Sequence, residues 1–203
     1  MTASSPPLAA RERAALADLL DELGPDAPSC CAGWTTAHLA AHLVVRDRRP
    51  DAMLGYGLEA AGLGGPLAAW AHAAEDRLRA GTPYRALVDR VRVGPPAWLP
   101  TSWPAVASLV NVSEFAIHHE DVRRAQPEWT VRELSREDQD AVWTATAFYA
   151  RRAAGRRGVV LRRSDVPDAE RRVGAGGRVV AGEPMELLLW AAGRKDVARV
   201  EVS

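Results

Sequence analysis

The stretch Asn111-Val-Ser-Glu114-Phe-Ala-Ile-His118-His119-Glu120-Asp121-Val-Arg123-Arg124 threads a line of polar groups through an otherwise apolar helical segment. At about 100° per residue, Asn111, Glu114, His118 and Asp121 fall within a band of roughly 80°, stacked over about three turns. That row offers carboxylates and imidazole to a cation or to acid–base chemistry. A second helical stretch, Thr35-Thr-Ala-His38-Leu-Ala-Ala-His42-Leu-Val-Val-Arg46-Asp47, sets His42 among Leu39, Leu43 and Val45, where an aliphatic side chain would be the cheaper choice. Two helices that each turn a nitrogen or a carboxylate inward can share one ion, and helical bundles build metal sites in this way.

Working outward, Leu8 to Leu23 reads as a first helix, stopped by Gly24-Pro25. Thr35 is placed to cap the second helix, which must end near Pro50. Residues 51–65, rich in glycine, read as a loop or frayed turn. Pro66 to Ala80 and Thr82 to Val91 read as two further helices, and the long helix with the polar line begins near Pro104. The intervening Gly94-Pro-Pro-Ala-Trp98-Leu-Pro-Thr-Ser-Trp103-Pro104 reads as an ordered loop pinned by its two tryptophans. This pattern predicts an antiparallel four-helix bundle over residues 1–130.

Beyond 130 the texture changes. Ser135-Arg-Glu-Asp138 resembles a capping box and opens a helix running to Gly155. Short strands follow near 158–162, 171–181 and 197–202, with Gly174-Ala-Gly-Gly177 as a turn between two of them, and Glu183 to Gly193 reads as a compact apolar helix. Residues 131–203 therefore form a small α+β module, expected to dock on the bundle.

The chain has 203 residues and 47% hydrophobic content, enough for a sizeable core. Its 26 basic and 26 acidic residues cancel, so no summed field recruits nucleic acid or an anionic membrane. No apolar run is long enough to span a bilayer, and Met-Thr-Ala-Ser-Ser-Pro-Pro lacks the pattern of a secretory leader; a cytoplasmic location is expected. Cys30 and Cys31 are adjacent, which suits neither an ordinary disulfide nor a zinc knuckle, and they read as reduced loop residues in preference to a redox or soft-metal site.

Two nitrogens and a carboxylate from His42, Glu114 and His118 would leave a divalent ion with an open position, the signature of a catalytic metal. Asp121, one turn beyond His118, is placed to orient a ligand imidazole. Asn111, Arg46 and Arg123 are candidates for substrate contact, although each arginine taken alone suits a solvated surface. Spacing alone is equally compatible with an exposed Glu114/His118 ion pair and an inward His42 bonded to a backbone carbonyl. His38 rivals His42, lying on nearly the same face but in the first turn. His119 and Glu120, rotated away from His118, read as surface or interface residues, and His72 as a residue without function.

Four long segments carry a family resemblance. Gly33-Trp-Thr-Thr-Ala-His-Leu-Ala-Ala-His42-Leu-Val-Val-Arg-Asp, Arg90-Val-Arg-Val-Gly-Pro-Pro-Ala-Trp98, the run from Asn111 to Pro127, and Gly182-Glu-Pro-Met-Glu-Leu-Leu-Leu-Trp-Ala-Ala-Gly-Arg194 resemble an actinobacterial metal-binding family within the mycothiol-dependent maleylpyruvate isomerase-like group, related to DinB-like bundles. The resemblance implies an α+β chain: a DinB-like antiparallel four-helix bundle followed by a sterol-carrier-like module. It implies that His42, Glu114 and His118 hold Zn²⁺ or another divalent ion such as Ni²⁺. It also implies a small thiol, mycothiol, or an anionic substrate as partner to an isomerase or thiol transferase acting as a monomer or homodimer. Where relatives more often have an acidic residue this chain has His38, which leaves its part in the site open. A contrasting reading is a non-catalytic, metal-stabilised binding or stress-response protein.

Overall fold

The computed structural model describes residues 6–60, 62–99 and 102–203. Among these lie eight α-helices and a four-stranded sheet, so the chain is a helix-rich α+β protein. In order they are α1 (Leu8–Leu23), α2 (Thr36–Arg48), α3 (Pro50–Ala60), α4 (Pro66–Gly81), α5 (Tyr84–Val93), α6 (Pro104–Arg123), α7 (Arg136–Ala154), β1 (Val159–Arg163), β2 (Glu170–Val173), β3 (Arg178–Gly182), α8 (Pro184–Ala191) and β4 (Glu201–Val202). Residues 1–5, read above for a leader, lie outside the described residues, as do 100 and 101 of the proline-rich loop. None of the described helices is long and apolar enough to cross a membrane.

The chain separates into two compact units, one comprising the described residues up to Ala9, Ser108–Ile117 and Thr130–Ser203, the other Ala10–Ala107 and His118–Trp129. Helix α6 is continuous and belongs to both, its first part to one unit and its last turns to the other.

In the unit that includes the sheet, the strand order is β2-β1-β3-β4, with β1 antiparallel to β2 but parallel to β3. The Gly174-Ala-Gly-Gly177 segment thus does not join two paired strands. It carries the chain from β2 across the start of β1 to β3, because Val159 lies opposite both Val173 and Arg178. That crossing requires backbone against backbone: a Cβ at Gly158 would sit 2.6 Å from the Val173 carbonyl oxygen, and one at Gly177 would sit 2.7 Å from that of Arg157. Helix α8 is buried throughout, which explains its unbroken apolar run. Met185, Leu188 and Leu189 pack with Val112, Ala116 and Ile117 of α6 and Val142 and Ala145 of α7. Leu187, Trp190 and Ala191 pack on the sheet residues Val159, Leu161 and Val180. Ser135 caps α7 by accepting the Asp138 N–H, as its sequence leads one to expect.

In the other unit, α2 packs against α3, α4 and α5, and α3 lies along α4. The glycine-rich segment expected to be a loop is instead helix α3. Pro50 occupies its first position, and Ala52 joins Val45, Ala71 and Ala74 in a small-residue core flanked by Tyr56, Trp70 and Leu78. One of its two glycines is a packing device: a Cβ on Gly55 would stand 2.5 Å from the Leu67 carbonyl oxygen and 3.2 Å from the Ala71 Cβ. Tertiary contact has overridden weak helix propensity. Gly55→Ala should therefore destabilise the protein by about 1–3 kcal/mol, the usual cost of overpacking, although alanine is the better helix former. A higher midpoint of chemical denaturation for this variant would show that α3 and α4 can part without cost. The proline-rich loop is also not pinned as expected, since Trp98 and Trp103 are both exposed.

Candidate metal centre

The cap of α2 sets the register of its histidines. The backbone N–H of Thr35 donates to Nδ1 of His38 at 3.2 Å, so the first-turn histidine is committed to the helix start. One turn later His42 projects from α2 into a polar nest. Its ring lies 5.2 Å from Trp34, 5.0 Å from Tyr56 and 5.4 Å from His118, centroid to centroid.

Each of the two facing imidazoles has one nitrogen tied to a buried carboxylate. Nδ1 of His42 is 2.7 Å from Oε1 of Glu75 on α4, and Nδ1 of His118 is 2.9 Å from Oδ2 of Asp121. A ring that donates Nδ1–H to a carboxylate carries its lone pair on Nε2, the arrangement a metal-ligating histidine needs. Glu114 precedes His118 by four residues on the same uninterrupted helix, so the helix itself fixes the separation of these two. His42, Glu114 and His118 offer ligand atoms that all lie within 4.8 Å of one another. The donor set of two neutral nitrogens and one carboxylate suits a divalent ion of the zinc type.

The nest extends outward from Glu75. Tyr56 donates its hydroxyl to Oε1, and Nδ1 of His72 lies 3.2 Å from Oε2, while the other nitrogen of His72 lies 3.0 Å from Glu59. Burial works against ionisation of Glu75, but the hydrogen bonds from His42, Tyr56 and His72 outweigh it and hold its carboxyl below the ordinary glutamate value. Burial likewise opposes the charged form of His72, and the two acidic partners override it, raising its pKa. A cleft of about 190 Å³ opens beside this network, lined by Trp34, His38, His72, Glu75 and Arg79 among others.

Several residues stand elsewhere than the sequence led one to expect. His119 and Glu120 are not at the surface: Nδ1 of His119 is 2.8 Å from Glu12 of α1 with both side chains buried, and Glu120 binds Arg123 at 2.8 Å and Arg124 at 2.5 Å. Arg46 is not solvated either; it is buried and donates to Asp47 at 2.8 Å. Arg123 keeps a fifth of its side chain exposed while bound to Glu120. Asn111 is buried on α6, two turns before His118. His72, read as without function, lies against Glu75.

Glu75 is the residue that sequence reading passed over. It belongs to the buried face of α4 with Ala68, Ala71 and Ala74, and a carboxylate on that small-residue face was the available signal. Removing it as Glu75→Ala should weaken metal binding by about 10- to 100-fold, the effect of deleting the acceptor behind a ligand histidine. Competition with a chromophoric chelator measures this, and an unchanged affinity would mean that His42 needs no such support.

Neither the sequence profiles of known families nor the curated proteins give a match. Solved structures do. The crystal structure of a histidine-to-alanine mutant of the mycothiol-dependent maleylpyruvate isomerase superposes with a TM-score of 0.59, at 19% identity over 97% of this chain and 89% of that one. A second crystal structure of the mycothiol-dependent maleylpyruvate isomerase gives a TM-score of 0.52 with the same identity and coverage. Over nearly its whole length, the chain has the fold of the mycothiol-dependent maleylpyruvate isomerase.

Proposed function

We propose that this protein is a metalloenzyme in which His42, Glu114 and His118 hold a divalent cation, Zn²⁺ or a similar ion such as Ni²⁺, for thiol-dependent isomerisation or transfer. The observation that carries the reading is the pair of imidazoles 5.4 Å apart, each with Nδ1 held by a buried carboxylate, the tautomer that puts the ring's lone pair on Nε2. Two such histidines beside a helix-borne glutamate are a costly way to build a core and an economical way to build a metal site. A bound ion of this type lowers the pKa of a thiol or water that reaches it and polarises an adjacent carbonyl.

The protein's own groups have separable parts. Glu75 and Asp121 fix the tautomers and ring orientations of His42 and His118, and Trp34 and Tyr56 flank His42 against rotation. The cleft beside Glu75, with His38, His72 and Arg79 on its walls, supplies positive or hydrogen-bonding groups for an anionic small molecule. The fold shared with a mycothiol-dependent isomerase supports mycothiol, or a thiol of that kind, as cosubstrate. Buried Asn111 is a further candidate for substrate contact on the same face of α6 as the ligands.

The test is direct. Protein loaded with Co²⁺ at this site should change its visible spectrum on addition of mycothiol as the thiolate enters the coordination sphere. An invariant spectrum up to millimolar thiol would favour a metal-stabilised protein without turnover.

A further inference from the structure

A second set of ligand-type atoms lies around the other nitrogen of His118. Cys31, His118 and Asp121 each offer one donor atom, and these too lie within 4.8 Å of one another. Oδ2 of Asp121 is the hub: it accepts from the thiol of Cys31 at 3.2 Å and from Nδ1 of His118 at 2.9 Å. The Asp121 side chain is wholly buried. Two protons thus converge on one carboxylate oxygen, in the space between sulfur, nitrogen and oxygen donors.

Cys31 is held there by the chain around it. The N–H of Cys30 donates to the Asp121 carbonyl at 2.9 Å, which ties the loop to the last turns of α6. Ser29 donates its hydroxyl to the Trp34 carbonyl at 2.9 Å, Trp34 returns its N–H to the Cys31 carbonyl at 2.9 Å, and Gln126 reaches the Pro28 carbonyl at 3.1 Å. Neither cysteine is in a disulfide.

We propose that Cys31, Asp121 and Nδ1 of His118 form a second cation position, distinct from the one closed by His42 and Glu114 and suited to a soft or borderline divalent ion. Sulfur makes the difference: thiolate with imidazole and carboxylate selects Zn²⁺ or Cd²⁺ over the hard ions that carboxylates alone would hold. Binding releases the thiol proton, while the Nδ1 proton of His118 shifts to Nε2 when the first position is empty and is lost to solvent when an ion already holds Nε2; the ion takes the place of both hydrogen bonds to Asp121. His118 then serves two positions through opposite nitrogens, so filling the second removes the hydrogen bond that orients the ring for the first. The inference shares His118 and its partner Asp121 with the function proposed above.

Cadmium provides the probe, because thiolate-to-cadmium charge transfer absorbs in the ultraviolet whereas nitrogen and oxygen ligation does not. Metal-free full-length protein is titrated with Cd²⁺, with bound metal measured by elemental analysis after dialysis. The band should appear in the wild-type protein, persist in Cys30→Ser, and vanish in both Cys31→Ser and Cys31→Ala while a cysteine-independent equivalent of metal stays bound. It should also persist in His42→Ala, which loses that other equivalent. A wild-type protein without the band overturns the proposal, as does a band that survives in the Cys31 variants. A band lost in His42→Ala overturns it as well, since Cys31 would then ligate the same ion as His42. A wild-type protein that shows the band but holds no cysteine-independent equivalent would leave this position standing and remove the metal centre of the proposed function.

Discussion

Alanine at His118 should abolish stoichiometric metal binding, with affinity falling by more than the roughly 100-fold that marks the upper end for outer-sphere partners. The expectation follows from its position. His118 is the only one of the three proposed ligands that faces a histidine from α2 and shares a helix with a carboxylate four residues away. His42→Ala and Glu114→Ala should also lose the ion. His72→Ala should retain it, because His72 reaches His42 through Glu75 and Tyr56 and is not one of the three proposed ligands. Elemental analysis of protein purified without added metal separates these outcomes, and a Glu114→Ala or His118→Ala protein with wild-type metal content would sink the assignment.

Glu120→Ala should cost about 3–5 kcal/mol of stability, the range seen when one partner of a buried ion pair is removed. Glu120 and Arg124 each expose only 1% of their side chains, and Arg123 binds the same carboxylate. Truncating Glu120 takes from the buried Arg124 guanidinium its carboxylate partner at 2.5 Å, which stacking on Trp129 at 4.6 Å does not replace. The loss is a large fraction of a typical domain's 5–15 kcal/mol and reads directly as a shift in the denaturation midpoint. A change below about 1 kcal/mol would mean that the pair behaves as though solvated.

Much of the secondary structure was legible locally. Leu16, Leu20 and Leu23 with Gly24-Pro25 fix the extent of α1, Ser135 with Asp138 opens α7, and the run from Leu187 to Trp190 has the composition of a helix buried on every side. These are signals of propensity, capping and hydrophobic period, which act within a few residues. Segment 50–60 was misread because local propensity and packing disagree there. Gly55 is poor for a helix and necessary for the approach of α4, and only the neighbour reveals the second fact. The crossing of Gly174–Gly177 over the start of β1 was hidden for the same reason, since two short strands around a glycine turn look alike whether they pair with each other or flank a third.

The sequence by itself determined the inventory along α6: helical period alone placed Asn111, Glu114, His118 and Asp121 in one line, because positions three and four apart share a face in any α-helix. It also determined that His42 would be set among aliphatic neighbours on α2. Only the tertiary structure decided which groups meet. It brought Glu75 from α4 behind His42, carried Cys31 from a loop ninety residues distant to Asp121, and turned His119 and Glu120 inward to Glu12 and Arg124. The physical reason is range. A helix fixes its own side chains to one another through backbone geometry, whereas the partner of a buried charge is chosen by desolvation, which rewards whichever complementary group the packing of other helices delivers.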